Sequence, residues 1–72
     1  MVLEMSSEVK EATQAMEIAH EVAKKAGLTY YYIISAKRQD GFWLVQIDTI
    51  VRMYVVKINA FTGGVVEFTT VE

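Results

Sequence analysis

His20 is the one histidine of the sequence, and imidazole is the one ordinary side chain that changes charge near neutrality, so proton-transfer chemistry would have to begin there. Such a group becomes a catalyst when a carboxylate orients it and a nucleophile is held beside it in a cleft. Glu17 and Glu21 stand near it, but little else converges, and His20 falls at the border of a polar helix face. The carboxylates give no acid/base pair: Asp40 belongs to a turn, Asp48 to the exposed side of a strand and Glu67 to an outer face. Gly63-Gly64 precedes a strand rather than a helix start, so it is not a phosphate cradle. With no cysteine and a single histidine, thiolate and imidazole metal sites are both excluded. The expectation is a non-enzymatic protein with no catalytic, metal or cofactor-binding residues.

The elements that would position any site can be placed from periodicity. Ser6 or Ser7 offers a hydroxyl to the free amides of a first helical turn, and Glu8 and Glu11 suit its positive end. Val9, Ala12, Met16, Ala19, Ala23 and Ala26 recur at spacings of three and four, with Ala15 and Val22 widening the stripe. Lys10, Gln14, Glu17, Glu21, Lys24 and Lys25 fall opposite, and Gly27 suits the left-handed position that ends a helix. A stripe so rich in alanine lets the helix axis approach a sheet closely.

From Tyr30 the run Tyr-Tyr-Tyr-Ile-Ile-Ser-Ala-Lys predicts a strand, and Asp40-Gly41 a tight turn into a second strand, Phe42 to Asp48. Trp43, Val45 and Ile47 share the side placed under the helix. No glycine or proline marks the next bend, but a strand from Phe42 to Ala60 would be too long, so a turn is placed between Thr49 and Arg52. Tyr54, Val56, Ile58 and Ala60 then line one face of a third strand. A Thr-Gly-Gly corner leads into a fourth, Val65 to Val71. The predicted fold is one α+β domain spanning 1–72: an N-terminal helix on a four-stranded antiparallel meander, in the order α-β-β-β-β.

This order, with its closing Val-x-Ile-Asn-Ala-x-Thr-Gly-x-Val-Val hairpin from Tyr54 to Val66, resembles a PepSY-type domain over residues 9–70. Asn59 stands where an aspartate is common in that family and Gly64 where a glutamate is common. The resemblance implies a small α+β module that binds or inhibits a protein or peptide partner, with no catalytic residues of its own.

Composition narrows the partners. A net charge of −2 and a pI near 5.3 leave no electrostatic footprint for duplex nucleic acid or an anionic membrane. The rings Tyr30, Tyr31, Tyr32, Phe42, Trp43 and Tyr54 raise single-stranded nucleic acid as an alternative, but Lys37, Arg38, Arg52 and Lys57 are scattered among apolar neighbours. A small-ligand pocket between helix and sheet is the other alternative. The first residues carry no basic region followed by an apolar run of secretory length, and no segment approaches the ~20 apolar residues of a membrane helix, so a cytoplasmic protein is expected.

The hydrophobic fraction is 53% and the mean hydropathy +0.24, high for a soluble domain of 72 residues. One helix covers one face of a sheet. Simple alternation assigns Tyr31, Ile33, Phe42, Leu44 and Val55 to the other, and these five are the candidate interface through which a homodimer or a protein or peptide partner would cover it.

Overall fold

The computed structural model describes residues 8–71. A helix, α1 (Ala12–Lys25), is followed by strands β1 (Tyr32–Gln39), β2 (Phe42–Asp48), β3 (Met53–Asn59) and β4 (Val65–Val71). The strands form one antiparallel sheet in the order β1-β2-β3-β4. This is the α+β meander that the sequence predicts.

The helix starts later than expected. Its N-cap is Glu11, in extended conformation, and Gln14 Oε1 accepts from the amides of Glu11 at 2.9 Å and of Lys10 at 2.7 Å. That satisfies amides which an α-helix leaves without internal partners. Ser6, Ser7 and the lead-in 1–5 lie outside the described residues. Val9 is not the first member of the helical stripe: it is a buried residue ahead of the helix, whose N–H donates to Ala60 O at 2.7 Å. Its carbonyl accepts from Trp43 Nε1 at 2.8 Å, so the incoming chain is stapled to the far end of the sheet. At the other end, Gly27 takes the left-handed conformation (φ +84) after Lys24 and Lys25.

Ala15, Ala19 and Ala23 are fully buried and bring the helix close to Val45, Ile47, Val56 and Ile58, which have no exposed surface. Ile18, absent from the predicted stripe, also packs on this core, whereas Ala26 is exposed at the C-cap. The helix lies over β1, β2 and β3 and stops short of β4. There the covered side is finished by a stack of Tyr54 on Phe68, with centroids 5.0 Å apart.

Two corners set the register. Asp40 adopts φ +57 in the β1–β2 turn, where Phe61 packs so closely on Gly41 that a Cβ there would meet the ring at 3.0 Å. In the β3–β4 turn, Asn59 Oδ1 accepts from the amides of Phe61 and Thr62, and Gly63 supplies φ +77.

Candidate interaction surface

Phe42, Leu44 and Val55 lie on the uncovered face, in register across β2 and β3 with Asn59, Lys57 and Gln46. Tyr31 and Ile33 do not. The register slips between Ile33 and Ser35, a bulge that adds one residue to β1. A one-residue shift turns every side chain on one side of it to the opposite face. From Ser35 onward β1 keeps the expected phase, with Lys37 beside Leu44; before it, Ile33 pairs with Ile47 and, with Tyr31, packs on the core beneath the helix. Tyr32 takes the open-face position instead, paired with Asp48 and 72% exposed.

The open face therefore has an apolar centre and a polar frame. Phe42, Leu44, Met53 and Val55 are half-buried along β2 and β3, while Ser35, Lys37 and Gln39 edge one side and Glu67 and Thr69 the other. Lys57 folds its ammonium group over Phe42, 4.5 Å from the ring centroid, so its stem shields part of the centre. Gln46 Nε2 is tied to Asp48 Oδ1 at 3.1 Å and lies 3.4 Å from Met53 Sδ. Between them a shallow hollow of about 190 Å³ opens among Ser35, Lys37, Leu44, Gln46 and Val55.

Among the described residues, the most exposed large apolar side chains lie at one end of the sheet. Ile50 and Val51 are 88% and 82% exposed at the tip of the β2–β3 connection, with Tyr30 and Tyr32 nearby at the start of β1. The turn falls between Thr49 and Arg52, as expected, and Thr49 makes it without glycine. Its Oγ1 donates to Arg52 O at 2.8 Å and accepts from Arg52 N at 3.0 Å and Val51 N at 3.3 Å. The side chain of Thr49 thus performs the closure that turn residues ordinarily perform, and the two central positions are left to β-branched apolar side chains. Sequence reasoning overlooked Ile50 and Val51 as surface residues. The available signal was the clash itself, because apolar residues at a turn tip break local turn chemistry, and such breaks concentrate at functional sites.

His20, Glu17 and Glu21 stand together on the helix surface, as their spacing predicts. His20 is exposed and its Nδ1 is 2.8 Å from Tyr31 Oη, with the two rings edge to face. Beside it an open hollow of about 400 Å³ on the outer helix surface is bounded by Glu17, Ile18, His20 and Glu21. Among the described residues no three histidine, aspartate or glutamate side chains gather as a metal site would require. Nor do the rings form one platform: Trp43 is buried, Tyr54 is stacked on Phe68, and Phe42 lies under Lys57. Among the described residues no helix is long and apolar enough to cross a membrane. Comparison with protein-family models, curated proteins and solved structures gives no match.

Proposed function

We propose that this chain is a non-enzymatic, PepSY-like interaction module of the cytoplasm that docks another protein on the open face of its sheet, with a second copy of itself as the first partner. One observation carries the reading: half-buried Leu44, Val55 and Met53 share the open face with exposed Tyr32, and the β2–β3 connection beside Met53 carries Ile50 and Val51, the most exposed large apolar side chains among the described residues. An apolar centre framed by Lys37, Gln39, Glu67 and Thr69 has the anatomy of a docking surface. The polar frame keeps the free protein soluble.

Leu44, Met53 and Val55 are already half-buried in the free chain, so docking removes little further apolar surface from water there, and a reversible contact rather than a permanent complex is expected. A pocket between helix and sheet is less well supported, since Ala15, Ala19 and Ala23 close that seam completely.

An amide-resolved NMR dilution series from hundreds of micromolar to a few micromolar tests the reading. Resonances of Leu44, Met53, Val55, Ile50 and Val51 should move together with concentration, while those of Ala15, Ala19 and Ala23 stay fixed. Concentration-independent spectra throughout would reject self-docking on this face.

A further inference from the structure

The two edges of the sheet are unlike. Along β1, the bulge between Ile33 and Ser35 and the adjacent cations Lys37 and Arg38 disturb any incoming strand. These are the devices by which proteins keep edges from pairing. Over β4 the sequence is Val-Val-Glu-Phe-Thr-Thr-Val: seven residues, one charge, no proline, and five β-branched side chains. Its register with β3 slips at Lys57/Ile58, beside Val66, and from Glu67 to Val71 the strand is regular. An outer strand of this kind turns alternate N–H and C=O groups to solvent without partners. The helix stops short of it, and Val65, Val66 and Val71 are 44%, 52% and 37% exposed.

We propose that β4 pairs antiparallel with β4 of a second copy about a two-fold axis at Thr69, joining two sheets into one of eight strands. An isologous contact requires each residue to suit its mate in both directions. With the axis at Thr69, threonine meets threonine, Phe68 meets Thr70 of the other copy, and Glu67 meets Val71. Thr–Thr and aromatic–β-branched neighbours are among the favourable cross-strand pairs. Each pair also keeps both members on one face, so the two open faces become continuous. The only charge in the segment falls four residues from its own mate, roughly 13 Å at ~3.3 Å per residue, beyond the Debye length of about 8–10 Å. An axis at Glu67 would instead set the two carboxylates against each other. Centring at Thr69 also uses only the regular part of the strand, beyond the bulge. This edge contact is separate from docking on the open face.

Cysteine cross-linking tests it cleanly, because the chain has no cysteine of its own. Residues directly opposite in an antiparallel ladder have Cα atoms about 4.5–5.5 Å apart, within disulfide reach, whereas stacked sheet faces stand about 10 Å apart, outside it. Under mild oxidation Thr69→Cys should form a covalent dimer at least tenfold faster than Gln39→Cys on β1 or Glu67→Cys two residues along β4. Thr70→Lys, a charge placed on the outer strand, should halve the sedimenting mass while leaving the circular dichroism spectrum unchanged. Cross-linking of Thr69→Cys at the rate of Gln39→Cys would overturn the proposal, and equal rates for Glu67→Cys and Thr69→Cys would overturn the Thr69 register. Loss of the face contact, read with Leu44→Lys, leaves Thr69→Cys cross-linking intact, so the two surfaces are judged separately.

Discussion

The two faces of the sheet are built from the same strands and have opposite characters. Beneath the helix, Val45, Ile47, Val56 and Ile58 lose all contact with solvent and meet alanines small enough to let the backbones close in. On the reverse, Leu44 and Val55 alternate with Lys57 and Gln46, and no element of the described chain lies over them. Stability is therefore concentrated on one side, where a missing methyl group leaves a cavity. The other side is free to vary toward association, since changes there cost little folding energy.

Substitutions that separate stability from association sharpen this contrast. The largest effect is expected from Ile58→Ala, which empties a site with no exposed surface; urea titration should show a loss of about 2–5 kcal/mol. In a domain this small, such a loss approaches the whole stability. Trp43→Phe comes next. It keeps a ring beneath the helix but removes the Nε1–H that Val9 O accepts at 2.8 Å, and an orphaned buried carbonyl costs roughly 1–3 kcal/mol. Hydrogen exchange should report faster opening of the segment before α1. Lys57→Gln should cost only about 0.5–1 kcal/mol, the worth of a cation over a ring near the surface, while uncovering Phe42 and strengthening association. If Lys57→Gln destabilised the fold as much as Ile58→Ala, the division between the two faces would fail.

The meander, the Asp40-Gly41 turn and the phase of β2 were legible because Trp43, Val45 and Ile47 alternate with residues of different character and a turn dipeptide fixes where counting begins. The phase of β1 was not legible. Tyr31-Tyr32-Ile33-Ile34 is apolar at both parities, so alternation carries no phase there, and no glycine announces the bulge that moves Tyr31 and Ile33 under the helix. The helix start escaped for a similar reason: Glu11 with Gln14 is a weaker cap signature than a serine, and two serines lay just upstream. At the candidate surface, Phe42, Leu44 and Val55 were placed correctly by period two. Ile50 and Val51 were placed correctly in a turn, and their meaning lay in their being the wrong residues for one.

Sedimentation velocity of the native chain and of Leu44→Lys, at tens of micromolar, tests the central claim most directly. The native protein should sediment as a multiple of 8.1 kDa, and one lysine in the centre of the open face should lower that mass without altering the thermal midpoint by more than a few degrees. A native chain running as a single 8.1 kDa species, indistinguishable from Leu44→Lys, would contradict the account.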